Sequence, residues 1–210
     1  MVMNEREARL CDRTKARAIA AWASAWWDLR VVGQILHDRV LLGHADSSKI
    51  FTRRGMIEGA IATYGRCFVD GTRYHTALLL PIVEGLGSDA VGTHDEAMRW
   101  RHRHVAHRLE SAWEQSEVSY LWTTDDALAP QMRVRLITTL GPDDEFADRL
   151  AEHSTLLANR VWEDRLVPLK EKYISETPVE RLRSLSSHHA AQAPSIPVSD
   201  PDHLGVTLNL

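Results

Sequence analysis

From about Glu5 to Leu42 the chain has no proline and only one glycine, Gly33, and it is apolar at three- and four-residue steps throughout. A run of that length and period reads as one long helix. Ile19, Ala23, Trp27, Val31 and Ile35 form one stripe, and Trp22, Trp26, Leu29, Leu36 and Val40 form a second beside it. Together they are wider than a single coiled-coil seam, so this helix needs two neighbours, or one neighbour and a second subunit. Its tryptophans read as core rather than as a ligand platform.

His44 to Ser48 interrupts the pattern with turn and N-cap residues, and Ile57, Ile61, Tyr64 and Phe68 then mark a second helix ending near Asp70-Gly71. Arg66 and Asp70, four apart, form a possible surface pair. Ala77 to Val83 is a short apolar piece in which Pro81 caps or bends any helix. After a Gly85/Gly87/Gly92 loop, Thr93 and Glu96 read as a capping box opening a helix from about Thr93 to Ser116.

The period then changes from 3.6 to 2: Val118, Tyr120 and Trp122, and later Val134, Leu136 and Thr138, alternate with their neighbours around turn material from Asp125 to Pro130. That is the pattern of a β-hairpin. Gly141-Pro142-Asp143-Asp144-Glu145 opens another long helix, with proline at its first position and Phe146, Leu150, Leu157 and Val161 as its buried stripe up to Pro168. Thr177 to Glu180 starts a short helix through Leu185. From Ser186 periodicity is lost among Ser, His, Ala and Pro, so residues 1–185 read as one helical domain and 186–210 as a disordered tail.

With 210 residues the chain is long enough for one substantial core, and 29 acids against 25 Lys and Arg give a net charge of −4. General coating of DNA is thereby disfavoured, although a local basic patch still acts on an acidic protein. Cys11 and Cys67 make no disulfide framework, and the first ten residues lack a signal-peptide pattern, which points to the cytoplasm. The longest uncharged apolar run, Ala18 to Trp27, is about half of the roughly 20 residues that span a bilayer.

Arg99 to Arg108 places four arginines and three histidines in ten positions without an acid. Projected as a helix, Met98, Val105, Leu109 and Ala112 face the core. Trp100, Arg103, His104 and His107 face away, and Arg101 lies at the border. Three readings are open for this string. His102 and His104 lie about 200° apart, which argues against a zinc site. A solvated face answered by Glu110 and Glu114 is the plain alternative. The third is ribonuclease chemistry, in which a histidine exchanges a proton with the ribose hydroxyl and an arginine holds the phosphate, with no metal or other cofactor.

The run Arg101-His102-Arg103-His104-Val105-Ala106-His107 resembles the signature of the HEPN superfamily. It is closest to the R-N-K-H-V-A-H form of the abortive-infection-like families, with His102 and Arg103 in place of the Asn and Lys. Tyr64 to Arg73 is similar to the second-helix pattern of those proteins, and the order of elements is similar over about residues 10 to 175. The resemblance implies a mainly α fold, a HEPN-like bundle of four to five helices with a small β-hairpin inserted between the third and fourth main helices. It also implies a homodimer whose paired signature helices form a metal-independent endoribonuclease site. By position, Arg101 is the phosphate-binding arginine and His107 the catalytic histidine. His104 and Arg103 are supporting residues, as are Arg66, Asp70 and Arg73 if they line the same cleft. An ideal helix holds Arg101 and His107 about 120° apart, which fits a site completed by a second copy. A toxin or phage-defence role follows, with RNA as substrate and an antitoxin or nucleotidyltransferase as partner. The alternative is a non-catalytic dimeric helical module that binds RNA, nucleotide or protein through the same face.

Overall fold

The computed structural model describes residues 13–43, 47–68, 79–106, 115–121, 131–137 and 141–177. It is mainly helical: α1 (Arg13–Val40), α2 (Ile50–Arg66), α3 (Leu80–Gly85), α4 (Ser88–Trp100), α5 (Asp144–Val161) and α6 (Val167–Glu176), with strands β1 (Gln115–Leu121) and β2 (Gln131–Ile137). Among the described residues no helix is long and apolar enough to cross a membrane. Two compact units are present, one of residues 1–27 with 158–210 and one of residues 28–157.

In the first unit, aromatic side chains close the space around the start of α1. The Trp26 ring packs on Trp27 and on Trp162 at centroid distances of 6.2 and 5.3 Å, and the Arg165 guanidinium stacks over Trp22 at 5.5 Å. Cation–π stacking of this kind suits a planar guanidinium on a half-buried face. Helical structure continues without a break past Pro168. Proline has no N–H for the carbonyl four residues back and its ring crowds that carbonyl. Here the preceding turn, Trp162–Leu166, widens to the i→i+5 spacing of a π-helix, and Pro168 falls in the first turn of α6.

The second unit is built on α1, α2, α4 and α5. The buried stripe of α1 is Trp22, Ala25, Leu29, Val32, Leu36 and Arg39. It therefore follows the second of the two predicted stripes, while Ile19, Ala23, Trp27, Val31 and Ile35 are only half-buried and Val40 is exposed. Gly33 lies where α5 comes close: a Cβ there would stand 2.9 Å from Thr155 Oγ1. Gly43, with φ of 68°, ends the helix in the left-handed conformation that glycine adopts without strain.

Arg39 is 1% exposed, and its two terminal nitrogens donate to Asp144 at 2.6 Å and Asp148 at 2.7 Å. Arg53 of α2 donates to the same Asp144 oxygen at 2.9 Å. Asp144 also sits at the positive end of the α5 dipole, so three elements meet at one helix start. The cap of that helix is Asp143, whose Oδ1 accepts from the Phe146 N–H at 2.7 Å. Pro142 thus precedes the cap rather than occupying the first helical position. Asp143→Ala is expected to cost about 1 kcal/mol in urea unfolding, and Asp143→Asn far less, because only the former loses the side-chain acceptor.

The strands pair antiparallel, with Val118 opposite Val134 and Tyr120 opposite Met132. Met132, Arg133, Val134 and Arg135 are all exposed. The predicted turn from Asp125 to Pro130, Trp122 and Thr138 lie outside the described residues, as do the short helix after Thr177 and the tail.

Candidate functional site

The helix carrying the Arg/His string starts earlier and ends sooner than Thr93 to Ser116. Gly87, with φ of 101°, separates α3 from α4, and α4 begins at Ser88. Thr93 is an interior residue whose hydroxyl bonds to the Asp89 carbonyl four residues back, and Glu96 bonds to Arg149 instead of closing a capping box. From Arg101 to Ala106 the backbone changes to π-helical spacing. A π turn holds roughly one residue more than an α turn, so a single 100° projection through the string does not describe it.

The predicted core face shifts accordingly. Thr93, His94 and Ala97 are the buried residues of α4. Met98, Trp100 and Val105 are half-buried, while Leu109 and Ala112 lie outside the described residues. Trp100 therefore does not face fully away from the fold. Arg101 is not a border residue: it packs against α2 at Gly65, where a Cβ would stand 2.5 Å from its Nε and 3.2 Å from its Cγ, with Cδ closer still. His102 and Arg103 are exposed, as projected for Arg103. Among the described residues no hydrogen bond or ion pair engages the Arg101 side chain, while its backbone N–H bonds to the Ala97 and Met98 carbonyls. His107 lies outside the described residues, and so does the side chain of His104.

Of the second-helix candidates, Arg66 is exposed and bonds to Asp28 of α1 at 3.1 Å. Among the described residues its partner is thus an acid of another helix, and the i,i+4 pairing read for it with Asp70 lies outside the described residues. Asp70 and Arg73 lie outside the described residues. Burial raises the Asp28 carboxyl, and the Arg66 charge and hydrogen bond pull it back down.

Next to Gly65 stands a polar cluster that motif reading passed over. The Tyr64 hydroxyl is 2.9 Å from His94 Nδ1 and 2.9 Å from His153 Nε2, and Tyr64 is fully buried. A phenol has one proton, so it donates to one imidazole and accepts an N–H from the other, which fixes one ring nitrogen bare and the other protonated. Phe68 lies edge-on to His94 at 4.4 Å. Burial lowers His94, with Asp95 opposing. Burial and then the neighbouring His94 push His153 down to about 4. The Tyr64 hydroxyl is raised well above its ordinary range by burial, with Cys67 and Asp95 adding to the effect. Burial likewise pushes the Cys67 thiol up to about 12, which leaves it unreactive near neutrality.

A sequence signal for this cluster does exist. His153 stands between Leu150 and Leu157 on the apolar stripe of α5, and Tyr64 stands three after Ile61 on that of α2. Polar groups on two buried stripes have to find partners. His94 carries no such signal in a helix that begins at Thr93.

Chemically, the cluster is a rigid brace and not a reactive centre, since its groups are neutral at pH 7 and sealed from solvent. Arg101, whose stem packs on Gly65 and whose guanidinium has no counter-ion among the described residues, is a cation placed to meet an anion. A groove of about 530 Å³ opens between Gly33 and Gln34 of α1 and Glu152 and Thr155 of α5, and the Arg/His string does not line it. Among the described residues no group of His, Cys, Asp and Glu is placed to hold a metal ion. Compared with protein-family models, curated proteins and solved structures, the chain matches none.

Proposed function

We propose that the protein is a metal-independent endoribonuclease of the HEPN type, acting as a toxin or phage-defence component through a composite Arg101/His107 site where two copies meet. The observation that carries this reading is the setting of Arg101: a guanidinium clamped on Gly65, free of any carboxylate among the described residues, beside exposed His102 and Arg103. A structural arginine is normally paired, as Arg39 is here with Asp144 and Asp148. In the reaction, the ribose 2′-hydroxyl attacks the adjacent phosphorus and the 5′-oxygen leaves. His107 moves the proton and Arg101 balances the charge gathering on the phosphoryl oxygens.

The test is incubation of purified protein with RNA in EDTA. Cleavage leaving cyclic phosphate ends, together with a second-order dependence on protein at low concentration, supports the composite site. RNA binding without cleavage would instead favour the non-catalytic module. An antitoxin or nucleotidyltransferase partner belongs to the same proposal and is tested by whether expression of the chain alone arrests growth.

A further inference from the structure

We infer that Gly65 is a positioning residue for Arg101: it cuts a notch in α2 through which the arginine stem passes, and the notch fixes where the guanidinium can meet a phosphodiester. The inference rests on the ribonuclease reading for its phosphate and on geometry for the rest.

Gly65 is buried in the last turn of α2, where a glycine costs helix stability of about 1 kcal/mol relative to alanine. It has helical backbone angles, so no turn or positive φ requires it. What requires it is space. Any Cβ at this position would overlap the middle of the Arg101 side chain and not its mobile end. Alanine at 65 therefore displaces Arg101, since the obstructing Cβ is fixed rigidly to a helix backbone.

The walls of the notch are themselves braced. Tyr64 immediately precedes Gly65, and its hydroxyl ties α2 to His94 of α4 and His153 of α5. His94, Ala97 and Arg101 are three and four residues apart, so the brace and the arginine lie on neighbouring turns of one helical face. Ala97 is fully buried, and the π segment that follows α4 packs on α2. A long cation without a counter-ion gains little by lying in a notch for its own sake, given the rotamer entropy it loses. Held in place beforehand, it loses that entropy before substrate arrives.

The test is a double-mutant cycle of Gly65→Ala and Arg101→Ala, combined with arginine modification by phenylglyoxal read by mass spectrometry. In the wild type, Arg101 is expected to react several-fold more slowly than exposed Arg103. In Gly65→Ala the two should react alike, with Arg39 still protected as a control for global loosening. RNA cleavage by Gly65→Ala should fall about 100-fold, the usual effect of a displacement near 1 Å. The double variant should cleave and melt no worse than Arg101→Ala alone, because the three atoms nearest to the new methyl group all belong to the arginine that is gone. The double variant also answers for Gly65→Ala should that single variant fail to fold. Unchanged Arg101 reactivity in Gly65→Ala, or additive losses in the cycle, would overturn the role of Gly65. If reactivity changes while cleavage is indifferent to Arg101→Ala, the notch stands and the ribonuclease reading is the one that fails.

Discussion

Replacing His107 with alanine is expected to slow RNA cleavage by about 100- to 10,000-fold, the usual contribution of a positioned general acid or base. Arg101→Ala is expected to cost about 100- to 1,000-fold, as for loss of one preorganised charge at the transition state. The two effects differ in their pH profiles. A guanidinium has no proton to exchange in the reaction, so removal of Arg101 lowers the rate uniformly across pH. Loss of His107 removes the limb of the profile that a titrating general acid or base imposes. Arg103, exposed and on the same turn, is the control: Arg103→Ala should raise KM modestly and leave kcat alone. Single-turnover rates on a defined RNA across pH 5 to 9 would check all three, and a His107→Ala protein as fast as the wild type would sink the assignment.

Tyr64→Phe is expected to destabilise the fold by about 2 to 6 kcal/mol, because it leaves two buried imidazole nitrogens without partners, each at a cost of roughly 1 to 3 kcal/mol. No comparable cavity opens, since only the hydroxyl is lost. Combining it with His153→Leu should recover part of the loss by removing one of the orphaned groups. The same brace sets the acid response of the wild type. His153 is held at about 4 against an ordinary 6.5, and His94 is lowered in the same direction. Above pH 6.5 both are neutral in folded and unfolded chains, and stability is at its full value. As pH falls from 6.5 toward about 4 the unfolded chain takes up protons that the folded one refuses, and His153 alone then removes about 3 kcal/mol. Urea midpoints between pH 8 and 4 would show the slope. A flat profile through that window would contradict the buried neutral pair.

Much of the helical plan was legible in the chain. The stripe Phe146, Leu150, Leu157 and Val161 is buried as its spacing requires, and Pro81 stands in the first turn of a short helix. Both follow from local rules: apolar period and proline geometry act within a few residues. The errors came where two elements meet. Thr93 and Glu96 have the residue types of a capping box, but a positive-φ glycine upstream at Gly87 had already begun the helix. Arg66 bonds to Asp28, 38 residues away in sequence, a partner that no local spacing rule points to.

What the sequence determined alone was the helical periods, the density of Arg and His from Arg99 to Arg108, and the absence of any other comparable cluster. Only the tertiary structure decided that Arg101 points toward α2 and that Gly65 makes room for it. It also decided that Tyr64, His94 and His153, 30 and 89 residues apart from the tyrosine, share one hydroxyl. Periodicity fixes which side of a helix is buried, because burial depends on the average character of a stripe. It does not fix which residue on that side meets which, because a contact depends on where two helices cross.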